Sequence, residues 1–456
     1  MFPVAAYTLT GGLGRATAGY RDLREGEVGS GSCFLVAREV CMVTLAALFV
    51  AGAVGGPAYA HLNGSDLIPA WARRYNVNCS HCHSPAVPRL NATGMRFKWA
   101  GFRMPEDIGQ SVEVQRIQNY ISLRARVRYD YAKTEDQPAS TSQFSFNDAT
   151  LFYGGPFGGN YGAFVELERE AENSIELVAA VMSAWGKEKS YGGLRIGQMH
   201  WFLREGTAGF DRPMGIRTPI PVNNRLTAGG IPFAFSTDQL GAEAYYVVGG
   251  RNRISAEVLN GINLEGKGDE SDTDHRKDFV GIDQFLFDEA GSSVTAVGYY
   301  GTLKGVDPLA PAATSHFWRI GASANKFIQN FEVLGSVLYG KDVDLPVVSG
   351  GAFGASEIKG WGYWFYGGYT FRKAEAKEAG KDEKEEGGTP LTLFSRFEYL
   401  DPNTDVASNS NRRFVAGAVL PVNLPEYIRL AVEYAHDFPQ GAPTQDGVTA
   451  EIMLNF

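Results

Sequence analysis

From Ile121 onward the chain alternates apolar and polar residues in segments of about ten, each closed by a turn. The clearest is ISLRARVRYDY. Ile121, Leu123, Ala125, Val127, Tyr129 and Tyr131 fall on one face; Ser122, Arg124, Arg126, Arg128 and Asp130 fall on the other. A period of two is the signature of a strand. The pattern predicts strands near 121–132, 142–153, 160–169, 175–186, 191–200, 238–248, 252–262, 278–287, 293–303, 316–326, 331–341, 359–371, 391–400, 412–420, 426–437 and 446–456. That is sixteen, an even number. A face so charged is foreign to a soluble sandwich, whereas a membrane barrel turns one face to lipid and the other to a watery lumen. The expected fold is mostly β: a 16-stranded transmembrane antiparallel β-barrel, porin-like, over residues 113–456.

Loop lengths check the count independently. With the N-terminus in the periplasm, the periplasmic turns should be short and the extracellular loops long. Residues 154–159, 249–252 and 328–330 are short, while 201–237, 263–277, 304–315, 342–358 and 438–445 supply mostly long connections. The charged run at 373–389 is an exception on the periplasmic side. GVTAEIMLNF ends on Phe456 and resembles the C-terminal strand of bacterial outer-membrane proteins, and GWGYWFYGGYTF (360–371) suits an interfacial aromatic girdle. The competing reading is a soluble β protein with coincidental alternation.

The first sixty residues differ. Arg38 precedes CMVTLAALFVAGAVGGPAYA, an apolar core ending in Ala58-Tyr59-Ala60, which reads as a secretory signal peptide cut before His61. Residues 1–60 are therefore expected to be leader and signal, with a membrane anchor as the alternative. Of four cysteines, Cys33 and Cys41 lie upstream of the cut, so Cys79 and Cys82 remain and no disulfide framework is expected.

Charge adds one feature. The chain carries −9, and residues 61–112 hold six Arg or Lys against three acids, a net of +3. Residues 1–60 balance, so the rest carries −12. A basic head ahead of an acidic body argues against nucleic acid as a partner.

Within that head stands Cys79-Ser80-His81-Cys82-His83, the spacing for covalent haem c. Two thiols three apart can form thioethers to both vinyl groups of one porphyrin, with the adjacent His83 as proximal iron ligand. A zinc ribbon would need a second ligand pair, and a thioredoxin-like pair a βαβ context. The segment 61–112 thus reads as a small N-terminal α-helical c-type monohaem domain. For the sixth ligand, Met104 is the first candidate and Met95 the second, with His61 a third; a thioether would raise the potential. Phe97, Trp99 and Phe102 are candidates to cover the ring. The head is small, so its haem is expected to lean on the barrel for shielding.

The segment PAWARRYNVNCSHCHSPAVPRLNATGMRFKWAGF followed by a barrel resembles the fused outer-membrane monohaem cytochrome c–porins, whose best-known branch contains the outer-membrane iron oxidases of Fe(II)-oxidising bacteria. Pro69, Ala72 and Arg73 match before the motif, and Pro88, Leu90, Gly94, Phe97 and Gly101 after it. GGLRIGQMHWFLREG (192–206) and EYLDPNTD (398–405) resemble segments of phosphate-selective-type porins. The resemblance implies a bacterial outer-membrane location, among outer-membrane lipid, with the haem in the periplasm or barrel lumen. It also implies an electron conduit that takes electrons from extracellular Fe(II) and passes them to a periplasmic cytochrome or similar acceptor, in effect an Fe(II):cytochrome c oxidoreductase.

Other readings remain open. Asp269, Glu270, Asp272, Asp274 and His275 form an acidic loop that could attract the metal ion or be merely solvated. A different class is a diffusion porin with a haem-containing sensing or gating head, in which Arg124, Arg126 and Arg128 line an anion path. The bland reading of those arginines is a lumen wall paired with acids such as Glu166 and Glu168. A conduit for another donor, or one running outward, is a further alternative.

Overall fold

The alternating segments pair into one sheet whose last strand returns to its first. The computed structural model describes residues 69–111, 116–170, 175–199, 214–223, 230–231, 233, 239–261, 276–304, 314–343, 357–371, 390–422 and 428–455. Seventeen strand segments run from β1 (Ile121–Thr134) to β17 (Gln445–Asn455), and β1 pairs antiparallel with β17 to close the wall. β4 (Ile175–Ser183) and β5 (Trp185–Lys187) flank Ala184 and both pair with β6 (Ser190–Met199), so together they fill one place. The barrel therefore has sixteen antiparallel positions, and each expected strand coincides with an observed one.

The two faces of the wall are inverted relative to a soluble protein. Leu123, Val127, Leu177, Ile254, Phe279, Ile320 and Phe365 are exposed outside, while Arg126, Asp148, Glu243, Arg253, Arg319 and Glu433 are buried within. This is the arrangement of a barrel that meets hydrocarbon outside and water or an insert inside. Among the described residues no helix is long and apolar enough to cross a membrane.

One mouth carries short turns, including 157–160, 249–251 and 329–330, and the head docks there. Its helix Ala70–Tyr75 ends at Asn76, which takes the left-handed conformation (φ 50°) that asparagine tolerates. A second helix, Ala92–Trp99, starts where the Asn91 side chain accepts from the Gly94 amide (3.0 Å). Trp71 donates through its indole N–H to Gly154 O (2.8 Å), and Arg73 donates to Ile121 O (2.8 Å). Arg96 grips Glu289 with two hydrogen bonds (2.7 and 2.8 Å) and Gly250 O with a third (2.8 Å). Deepest is Arg89, fully buried, bonded to Glu332 of β12 (Phe331–Val343) at 2.6 and 3.1 Å.

The opposite mouth contributes an insert that was expected to be an extracellular loop. Between β6 and β7 (Gln239–Val248), residues 214–223 run inside the wall, with Met214, Ile216 and Val222 buried. Their backbone amides find acceptors on lumen carboxylates. Ile216 N donates to Glu433 (2.7 Å), and Ile220 N donates to Glu398 (2.7 Å). Ile231 and Phe233 are likewise buried, and Ile231 N donates to Pro402 O (2.9 Å), within the YLDPN segment. The acidic loop with Asp269 to His275 lies outside the described residues.

Candidate functional site

Head, wall and insert enclose a cavity of about 360 Å³, part of a cleft whose empty space, open end included, totals about 2170 Å³. The head contributes Cys79, Cys82, His83, Pro69, Ala72, Pro88, Leu90, Gly94, Phe97, Phe102 and Met104. The wall contributes Arg124, Arg126, Arg128, Glu166, Glu168, Glu176, Arg429 and Glu451, and Gly215 and Ile216 of the insert also line it. Of the residues singled out around the CxxCH, Pro69, Ala72, Pro88, Leu90, Gly94 and Phe97 lie on this cavity, and Arg73 and Gly101 do not line it.

The CxxCH is built as a tight turn. A 3₁₀ turn, Cys79–His81, lets the Cys79 carbonyl accept from the Cys82 amide (3.1 Å) and the His83 amide (2.9 Å). Asn91 donates through its side-chain amide to Ser80 O (3.2 Å) and His81 O (3.0 Å). Helix Ala92–Trp99 crosses so close that a Cβ at Gly94 would overlap the Cys82 carbonyl oxygen. Glycine is required there by that approach.

Of the two cysteines, Cys79 is buried and Cys82 half-buried. Burial pushes the Cys82 thiol up to about 11 and the His83 imidazole down to about 4, so both are neutral at neutral pH. His83 Nδ1 lies 3.2 Å from the Arg89 carbonyl. Donation from Nδ1 to that oxygen leaves the Nε2 lone pair available, which is the usual orientation of a ligating histidine.

Above the turn lies an aromatic stack. Phe102 takes a left-handed backbone (φ 59°) after Gly101 (φ 77°), and its ring stacks between Trp71 and Phe164, with centroids 4.9 Å apart on each side. Non-glycine residues rarely hold this conformation, and the packing on both faces of the ring holds it here. Met104 follows, its amide donating to the Tyr75 hydroxyl (3.2 Å), which in turn donates to Asp107 (2.9 Å).

The candidate residues therefore divide. Phe97, Phe102 and Met104 share the cavity with Cys79, Cys82 and His83, whereas Met95 and Trp99 do not line it. Both pack into the core formed with Tyr191, Tyr245, Val247 and Leu286 of the wall. They sit four apart on a helix face, so they turn the same way, toward the barrel. His81 is exposed on the turn.

The wall side is charged and paired. Arg124 reaches Glu166 (3.3 Å) and Glu168 (3.1 Å), Arg126 contacts Asp148 and Glu168, and Arg128 meets Glu451 (2.6 Å), which also holds Arg429 (2.5 Å). A bulge at Asn147 helps place Asp148. Arg126 pairs with Asp148 and Val127 with Phe146, so one residue of β2 (Thr141–Pro156) is left over. The arginine ladder of β1 is thus the acid-paired lumen wall. Trp71, Lys98, Arg429 and Glu451 also line the cavity although no motif marks them; strand alternation alone puts Arg429 and Glu451 on the inner face.

A porphyrin fits this donor set: two thiols and an imidazole on one turn, with a thioether and aromatic rings lining the same cavity.

No family model and no curated protein matches the chain. Solved chains that resemble it include outer membrane proteins, one of them described as a channel. They include the loop L8 deletion mutant of OmpT of Vibrio cholerae (9% identity, 74% of this chain and 99% of that chain, TM-score 0.47) and DcaP of Acinetobacter baumannii (13%, 74% and 96%, TM-score 0.48). OpdQ of Pseudomonas aeruginosa is a third (10%, 77% and 99%, TM-score 0.42). These scores are low, and the chain's own strand pairing establishes the closed barrel.

Proposed function

We propose that the chain is an outer-membrane electron conduit carrying one covalent haem c on Cys79 and Cys82, with His83 as proximal ligand and Met104 as the candidate distal one. Electrons would come from an extracellular donor, Fe(II) first among them, and leave to a periplasmic carrier. The observation that carries this reading is the placement of the CxxCH on a cavity inside the barrel lumen. When bound, haem c supplies a one-electron couple at that place.

The protein's own part is positional. A hydrocarbon layer bars charge, and the barrel wall provides a protein path across it. Arg89 and Arg96 fasten the head into the short-turn mouth, which is the periplasmic one in barrels of this type. Phe102, Trp71 and Phe164 exclude water from one side of the cavity. The insert at 214–223 narrows the other side. Fe(II) suits oxygen and imidazole ligands, but outer-sphere transfer needs no dedicated site.

The test uses the purified protein in liposomes in its cellular orientation. Pyridine haemochrome first reports haem content, which Cys82→Ala should abolish. Fe(II) is then added anaerobically outside only, and the reduced-haem band is followed. Rapid reduction is expected. A haem-loaded protein that dithionite reduces and Fe(II) does not has another donor. A haem-free protein with open-channel conductance is a diffusion porin.

A further inference from the structure

We propose that Arg126 and Arg429 anchor the two carboxylates of the ligand in the lumen cavity, which are the haem propionates; this rests on the haem reading above. Both arginines line the cavity, on β1 and on β16 (Ile428–Asp437), the strands that flank β17 at the seam of the barrel. Arg126 is 8% exposed and Arg429 5%. Each retains a buried Nε–H with no hydrogen-bond partner. A buried guanidinium donor without an acceptor is unfavourable, and a planar fork suits a carboxylate above other partners.

The existing pairs leave room for such an acceptor. Arg429 bonds Glu451 through Nη2, and Glu451 is shared with Arg128. Arg126 uses Nη2 for both Asp148 and Glu168. In each case Nε stays uncommitted. A guanidinium has five N–H donors, so a further carboxylate can be taken without displacing the first. Cations lining the cavity, with Lys98 from the head among them, outnumber the lining carboxylates by one.

The polarity of the cavity matches the same ligand. Its head side carries thiols, thioether and aromatic rings, and its wall side carries four arginines beside four glutamates, with Phe152 and Phe164. A porphyrin of the haem c type bears its two attachment carbons on one edge and its two propionates on the opposite edge. Attachment to the head therefore turns the carboxylates toward the wall.

The experiment uses the haem-loaded holoprotein with Arg126→Gln, Arg429→Gln and a control, Arg413→Gln, which removes a lumen cation bound to Asp437 that does not line the cavity. Haem content, midpoint potential and the propionate bending band in resonance Raman are measured. In the two cavity variants the band should shift. Loss of a cation from the propionates would favour the oxidised form, so the reduced-to-oxidised ratio at a fixed poise should fall about tenfold, about 59 mV for one electron. Arg413→Gln should keep the wild-type band and potential. Should the glutamine variants fail to accumulate, Arg126→Lys and Arg429→Lys should still shift the band, because an ammonium cannot reproduce the fork. Haem-loaded variants with the wild-type band and potential overturn the proposal, as does an equal shift in Arg413→Gln. A wild-type protein without haem overturns the haem reading itself.

Discussion

Two inserts enter this barrel from opposite mouths, and the balance of side-chain and backbone donors that holds them differs. The head uses side-chain cations: Arg89 on Glu332, Arg96 on Glu289, with Arg73 and Arg103 on turn carbonyls. The segment 214–223 uses mainly backbone amides, on Glu433 and Glu398, with a single cation, Arg217, on Glu433 and Thr449. In both cases wall carboxylates supply acceptors. At these docking contacts the wall is thus an acidic socket, and the uneven charge of head and body is the trace in the sequence of one half of it. Cationic docking belongs to particular residues and can be removed one at a time; amide docking belongs to the backbone and can be removed only from the wall side.

The largest effect should come from Glu332→Ala. It removes the carboxylate from a buried ion pair with Arg89, at a cost of about 3–5 kcal/mol. The head should become protease-sensitive while the barrel stays folded, as read by limited proteolysis beside heat-modifiable migration on a gel. A head still protected in this variant would mean that the turn contacts suffice to dock it, and the contrast between the two inserts would lose its strongest support.

Glu433→Ala addresses the other insert. It deprives the Ile216 and Arg217 amides of their acceptor (2.7 and 3.3 Å), and an unmade bond at a buried amide costs about 1–3 kcal/mol. Single-channel conductance should rise while head proteolysis stays at the wild-type level. Glu433→Gln should do less, because an amide oxygen still accepts. Unchanged conductance in Glu433→Ala would show that the 214–223 segment does not limit the pore.

These contrasts track what could be read from the chain. The wall was legible because a period of two fixes which face each residue takes, so Arg124, Arg126 and Arg128 point inward as expected. Their partners were only partly legible. Glu166 and Glu168 lie two strands away, but Glu451 reaches Arg128 only because β17 closes on β1. The cysteine motif was legible as a local spacing, whereas the choice between Met95 and Met104 as cavity residue was not. That depends on the helix face shared by Met95 and Trp99 and on the left-handed turn at Gly101 and Phe102, which places Met104 on the cavity. The inward course of 214–223 left no periodic trace, since amides that any residue could supply anchor it beside the single cation Arg217.

The smallest effect sharpens the comparison at the rim of the socket. Arg96 donates two hydrogen bonds to Glu289 and holds its carboxyl below the usual carboxylate range. A depressed carboxylate contributes stability above its ordinary range, and that contribution is lost as pH falls through the depressed value. Glu289 is largely exposed, so the pair is worth less than about 1 kcal/mol and should weaken with salt. Glu289→Gln should therefore raise head proteolysis slightly at neutral pH and low salt, and match the wild type in acid or at high salt. The buried Arg89–Glu332 pair is shielded from solvent, so head docking in the Glu289→Gln variant should respond little to salt. A strong salt dependence in that variant would mean that rim charges, rather than the buried pair, carry the docking.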